Sequence, residues 1–304
     1  MNERIRKIFL TNIKLIEKTD KAIYCFRCQR YDQAFAYIAD STEEMHLVLE
    51  EILQNREYFL SVEEASVIAM VEGILEAKKK GDFLLLADIY ELQLSNLISR
   101  IQELIIEKEE FPYTTKIYDL NLLALQPKNN QLYEQLKEPE EPKILLDKGY
   151  AVEYTSCGLM TLAAIDEKGK FYFHSNSHVK QEAFFLAMEW AKKKAEVYHV
   201  LGLGLGYHIE ELLEICKNAE VYIYESDFNI IRLTCNFVDL TKILKNPRVH
   251  FVYDKNLEAI RKAAEEISKK ESVVVHYPSY RNLKMDKEFL EPYLPWIKIL
   301  EDCV

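Results

Sequence analysis

The pentapeptide Gly202-Leu203-Gly204-Leu205-Gly206 is where the residue types of this chain first suggest chemistry. It follows the apolar run Val197 to Leu201 and leads into the amphipathic stretch Tyr207 to Cys216, so it reads as a glycine loop between a buried strand and a helix. Glycines let a backbone turn tightly and approach a ligand, while the N–H groups of a helix start offer positive potential. Glu225 closes the next apolar run, VYIYE, 225 − 202 = 23 residues after the first glycine. That is near the roughly twenty expected of a carboxylate that accepts from ribose hydroxyls. Asp254 closes a third run, RVHFVYD. Gly202, Gly204, Gly206, Tyr207, His208, Glu225 and Asp254 are therefore expected to hold a nucleotide or nucleotide-like cofactor.

Three histidines fall at element ends near the same edge: His174, His208 and His276. Their placement allows them to converge on a ligand. In the first turn of its helix His208 is expected to be neutral, because the helix dipole disfavours an imidazolium there. No metal is expected, since Cys25 and Cys28 form a lone CxxC inside a helical pattern with no second pair beside it. The catalytic residues are left unknown: the chain has no GxSxG elbow, no HExxH, no Walker loop and no carboxylate pair spaced for glycoside chemistry.

These residues must be positioned by two kinds of structure. From Asn2 to about Glu110 the sequence is free of proline and helical in period. Ile5, Ile8, Phe9, Ile13, Ile16 and Ile23 mark a first helix; Ala34 to Ile52 a second segment; Ile68, Val71 and Leu75 a third helix opened by a capping box at Ser61 to Glu64. Leu86, Ile89, Leu92, Leu97, Ile101 and Leu104 mark a fourth, after a stop at Gly81 and an N-cap at Asp82. Residues 1–110 thus predict an antiparallel helical bundle. Pro112, Pro127, Pro139 and Pro142 place a joint at 111–145. In 146–304, short strands over Tyr150 to Ser156, Leu159 to Ile165 and Lys170 to His174 form a small β-layer, with Asp166 to Gly169 as a turn. A helix from Val179 comes next, and then strands alternate with helices to Pro278, which predicts a Rossmann-like parallel sheet. The fold class is thus α+β and α/β: bundle, small β-layer, parallel-sheet domain.

Composition narrows the partners. Lys plus Arg is 39 against 50 Asp plus Glu, a net charge of −11, which argues against a nucleic-acid surface. The expected partners are a nucleotide-like small molecule and, through the bundle, another protein. No apolar stretch reaches the roughly twenty residues of a membrane span, and Asn12, Lys14, Glu17 and Lys18 interrupt any signal-like core. A cytoplasmic protein with reduced thiols is expected from its scattered cysteines.

Spacing separates the ligands. GxGxG lacks the third glycine of the dinucleotide pattern, because Tyr207 stands where it would be. The loop resembles motif I of class I S-adenosylmethionine methyltransferases, although Val200 replaces their usual acidic residue. That resemblance implies Glu225 on the cofactor ribose, Asp254 beside adenine, and Tyr277 or His276, in the HYPSY that resembles their Asn/Asp-Pro-Pro-Tyr element, near the transferred methyl. A second resemblance spans about residues 120 to 300 and rests on YTSCGLMTL, FYFHSN, QEAFFLAMEWA, VLGLGLGYHIEELL and VYIYESD. It is to the N-terminal region of motility-associated factor glycosyltransferases of the MptE-like type, which are implicated in attaching nonulosonic acids to flagellin. The family's sugar-transferring domain would come after this region, so the resemblance carries over no catalytic residue. It implies an accessory nucleotide- or nucleotide-sugar-binding protein. The alternatives are a methyltransferase-like enzyme using S-adenosylmethionine and a scaffold acting through its bundle.

Overall fold

The computed structural model describes residues 2–111, 114–138, 140–146 and 148–294. Pro112, Pro139 and Cys303 lie outside the described residues. The chain divides into two compact units, Met1–Pro112 with Tyr154–Leu159, and Tyr113–Glu153 with Met160–Val304.

The first unit is the helical bundle. Its opening helix, Glu3–Arg27, is capped by the Asn2 side chain, which accepts the Ile5 N–H at 2.8 Å. Ile5, Ile8, Phe9, Ile16 and Ile23 are buried along it, a stripe that the threes and fours of the sequence already mark. The second segment is two helices, Tyr31–Asp40 and Thr42–Gln54. Lys78, Lys79 and Lys80 occupy the last turn of Glu64–Lys80, which stops at a left-handed Gly81, and Asp82 then caps the next helix by accepting from Leu85 N–H.

Two expectations fail here for identifiable reasons. The capping box at Ser61 does not form: the helix begins at Glu64 with no side-chain cap, because the chain before it turns around the buried Phe59. The buried stripe of this helix is Val67, Met70, Ile74 and Ala77, whereas Ile68 and Leu75 are exposed. Both sets have helical spacing, so periodicity alone does not choose between them. Gly73 chooses: an added Cβ there would lie 3.2 Å from Ile89, so this face is the one that admits the next helix closely. That next helix is also not uniform. Phe83–Ile89 passes through a π-helical turn, Tyr90–Leu94, into Ser95–Lys108. The extra residue of a π turn rotates the remainder of the helix about its axis. Leu94, Ile98, Ile101 and Ile105 are thereby buried while Leu92 is exposed.

A buried polar tie fixes the bundle's register. Asn12 donates to Ile98 O and to Gln102 Oε1, and Gln102 donates back to Phe9 O at 3.1 Å. Gly158, at φ +83, lies flush on this tie; a Cβ there would come within 2.1 Å of Gln102 Nε2. Gly158→Ala is expected to cost about 2 kcal/mol, combining left-handed strain with displacement of a hydrogen-bonded side chain. Urea unfolding measures it, and a change below about 0.5 kcal/mol would show that the tie is slack.

In the second unit, residues expected as a joint are largely helical. Lys116–Leu125 and Asn130–Leu136 pack in one core with the parallel sheet and its helices. Buried Asn121 donates to the carbonyls of Cys235 and Val238 and accepts the Leu240 N–H at 2.8 Å. Pro127 lies between two of these helices and Pro142 opens a third, Pro142–Leu146, so these two prolines delimit short helices rather than spoil them.

The β-layer is three strands, β1 (Tyr150–Tyr154), β2 (Met160–Asp166) and β3 (Gly169–Tyr172), in the order β1-β2-β3. Strands β4 (Val197–Leu201), β5 (Glu220–Glu225), β6 (Val249–Tyr253) and β7 (Glu271–Val275) form the parallel sheet, ordered β6-β5-β4-β7. This is the 3-2-1-4 order of a Rossmann half, in which chain direction across the sheet reverses between β4 and β7. Leu201 pairs with Tyr224 on one side and Val275 on the other. The register therefore sets Gly202, Glu225 and His276 beside one another at the carboxyl edge. Among the described residues no helix is long and apolar enough to cross a membrane.

Candidate functional site

At that edge the glycine loop is folded against the protein itself. Gly202, Gly204 and Gly206 all have positive φ, at 99°, 48° and 82°. A Cβ on Gly202 would lie 2.3 Å from Ser279, one on Gly204 2.7 Å from His174 Nε2, and one on Gly206 2.9 Å from Leu240. The close approach that the glycines permit is thus made by neighbouring side chains. The loop's polar groups are similarly engaged: Leu203 N–H donates to Glu225, Leu205 N–H to His174 Nε2, and Thr234 donates to Gly204 O.

Each remaining sequence-derived residue is tied in the same way. Tyr207 donates its hydroxyl to Met160 O, and His208 Nε2 donates to Gly202 O at 3.0 Å. Glu225 is buried, accepting from Leu203 on one oxygen and from Ser226 and Asp227 N–H on the other. Burial pushes its carboxyl up to about 7, against the opposing pull of those three N–H groups. Asp254 accepts the Ile260 N–H at 2.9 Å, close to the start of the helix Glu258–Glu265.

The three histidines do come together. The rings of His208 and His276 stack 7° from parallel with centroids 4.3 Å apart, and His174 lies 5.1 Å from His276 and 5.7 Å from His208. All three are buried. Burial holds them neutral, lowering His208 to about 4 and His174 and His276 well below the usual imidazole value, with mutual repulsion adding to it in the latter two.

Beside this cluster a cleft of about 900 Å³ opens along the carboxyl end of β7. The helix Val179–Ala191 supplies Gln181, Glu182, Phe185 and Glu189; the segment after β7 supplies His276 and Tyr277. Tyr277 and Phe185 are about half exposed. Glu182 accepts the Ser175 N–H, and burial raises its carboxyl above the usual range. Sequence reasoning missed this helix wall. The available signal was Phe184-Phe185, an adjacent pair of which only one ring can join the buried stripe of Ala183, Phe184, Ala187 and Trp190. A crevice outside the carboxyl ends of strands, at the reversal of strand order, is where open α/β sheets bind ligands.

Residues 148–291 match the model of the family described as Glycosyltransferase Maf N-terminal domain, which links this stretch to the Maf glycosyltransferases. Among solved structures, the "Crystal structure of MNMC2 from Aquifex Aeolicus" is similar at 17% identity and a TM-score of 0.26, over 50% of this chain and 62% of that one. This chain thus spans less than two thirds of that structure's length. No curated protein matches.

Proposed function

We propose that the α/β unit is an accessory, glycosyltransferase-associated binding unit that takes a sugar-bearing ligand, such as a nucleotide sugar, in the cleft beside β7. The observation that carries this reading is the cleft itself, at the carboxyl end of the edge strand β7 within the segment matched by the Maf domain. Its two exposed aromatic rings, Phe185 and Tyr277, suit the apolar face of a sugar or base, and Gln181, Glu182 and Glu189 suit hydroxyl groups. The glycine loop and Glu225 support the cleft's edge in this reading instead of contacting phosphate or ribose. The bundle would recruit a protein partner, and flagellin glycosylation of the MptE-like kind is the process that the family resemblance suggests.

One observation favours a second reading. The residues lining the cleft include two carboxylates and no Lys or Arg. That balance suits the sulfonium and ammonium charges of S-adenosylmethionine better than a diphosphate.

A thermal-shift panel of UDP-sugars, CMP-sugars, S-adenosylmethionine and ATP separates the two. A ligand at a hundred times its Kd stabilises by about 2.7 kcal/mol, and Tyr277→Ala is expected to remove most of that shift while leaving the unliganded Tm within about 2 °C. A response to S-adenosylmethionine alone selects the second reading. A ligand shift that survives Tyr277→Ala unchanged would remove the cleft as the binding site.

A further inference from the structure

We propose that His174, His208 and His276 form a binding site for a first-row divalent transition metal, zinc foremost, with its open position toward the cleft. The proposal does not depend on what else the cleft holds. The three imidazoles come from three separate places: the segment after β3, the first turn of the helix after the glycine loop, and the residue after β7. Each offers a ligand nitrogen within 4.8 Å of the others. No carboxylate or thiolate belongs to the set, and an all-imidazole set suits zinc, copper or nickel over magnesium or calcium.

The hydrogen bonds point the same way. His208 Nε2 donates to Gly202 O, so its lone pair is on Nδ1, and that atom is buried with no hydrogen-bond partner. One ring nitrogen fixed by a backbone carbonyl and the other left bare is how metal-binding histidines are oriented. His276 meets Ser279 Oγ through Nδ1 at 2.8 Å and also hydrogen-bonds the backbone of Phe173, so on loading one of its nitrogens exchanges a present partner for the metal. His276 also lines the cleft. Three protein nitrogens with a fourth position open to water or a ligand is the arrangement of reactive zinc sites.

Loading has a structural consequence. Zinc–nitrogen bonds of about 2.0–2.1 Å set tetrahedral ligand atoms roughly 3.4 Å apart, so nitrogens up to 4.8 Å apart must draw together. An imidazole lone pair lies in the ring plane, and the His208 and His276 rings are stacked. One of them must therefore turn. His174 Nε2 now accepts the Leu205 N–H at 2.8 Å and exchanges that bond for the metal. The metal thus loosens one anchor of the glycine loop.

The test uses the full chain, stripped with EDTA and titrated with Zn²⁺ alone by calorimetry and with Co²⁺ alone by absorption. One equivalent is expected to bind, with X-ray absorption of the zinc form showing imidazole nitrogen and oxygen neighbours only. The Leu205 amide resonance should shift. His174→Gln and His276→Gln should each weaken binding by about a hundredfold or more. The absorption spectrum of the unaltered chain decides even where a variant misfolds. No binding at about 100 μM metal, sulfur neighbours at about 2.3 Å, or an unchanged Leu205 resonance on loading would each overturn the proposal.

Discussion

Gly202→Ala is expected to lower the stability of the α/β unit by about 4 kcal/mol, enough to unfold a domain of ordinary stability under mild conditions. Two costs add. The first is conformational: at φ +99 any side chain is strained, a cost of about 1–3 kcal/mol. The second is steric. The new methyl would lie 2.3 Å from both Cβ and Oγ of Ser279 and 3.2 Å from Cβ of His276. Cβ atoms do not swing away by a rotamer change, so the backbone after β7 must move, at about 1–3 kcal/mol. Gly149 isolates the first cost, since it has φ +93 and nothing within 4 Å of an added Cβ. Gly149→Ala should therefore cost only about 1 kcal/mol. Urea unfolding of both variants separates the costs. If Gly202→Ala matches Gly149→Ala within about 0.5 kcal/mol, the loop does not press on Ser279 and is free to accept a ligand there.

That comparison bears on what the sequence can say about a glycine loop. GLGLG between an apolar run and an amphipathic stretch is enough to place a strand, a tight turn and a helix, because buried parallel strands read as continuous apolar runs. It also places Glu225 and Asp254 at the carboxyl edge, since each closes such a run. What fills the space beside the glycines is decided elsewhere. His276 and Ser279 arrive through the pairing of β4 with β7, and His174 through the end of the β-layer, contacts with no local signature. Glu225 shows the same limit: a carboxylate at that position accepts equally well from ribose hydroxyls or from Leu203, Ser226 and Asp227 N–H.

The bundle is legible to a different depth. Some helix ends follow from local signals such as Gly81 and Asp82, which act within one turn, whereas the division of the second segment into two helices and the start at Glu64 do not. The face that each helix buries does not. Val67-Met70-Ile74 and Ile68-Val71-Leu75 differ by one residue, and only the approach permitted at Gly73 distinguishes them. The π turn at Tyr90–Leu94 is invisible to a pattern search that assumes one period throughout Phe83 to Lys108.

Acidification should destabilise the α/β unit well before general acid denaturation. Burial lowers His208 from 6.5 to about 4 in the fold, and lowers His174 and His276 well below the usual imidazole value. A lowered imidazole contributes stability that is present above about 6.5 and lost as pH falls toward its folded value, because the unfolded chain takes up the proton first. For His208 alone the shift corresponds to about 3 kcal/mol. Glu225 opposes this: its carboxyl is raised from 4.5 to about 7, so its contribution is fully present below about 4.5 and lost as pH rises through 7. Glu182 is raised also and acts in the same sense. Between pH 6.5 and 4.5 the lowered imidazoles, with His199 lowered by burial as well, therefore work against the two raised carboxyls, and stability is expected to fall by about 1.4 kcal/mol per pH unit for each proton by which the unfolded chain exceeds the folded one. Trp190 reports it directly, since its ring stands edge-on to His208 at 5.5 Å and Trp296→Phe leaves it as the remaining tryptophan. Urea unfolding followed by Trp190 fluorescence at pH 7.5, 6.5, 5.5 and 4.5 measures the slope. Glu225→Gln should lose about 1–3 kcal/mol at pH 7.5, because its amide NH₂ meets backbone N–H donors, and should then fall more steeply with acid, since one opposing group is gone. A flat profile in the parent, or an unchanged slope in Glu225→Gln, would mean that the imidazoles and the carboxyl reach solvent and are not held in the states that their burial implies.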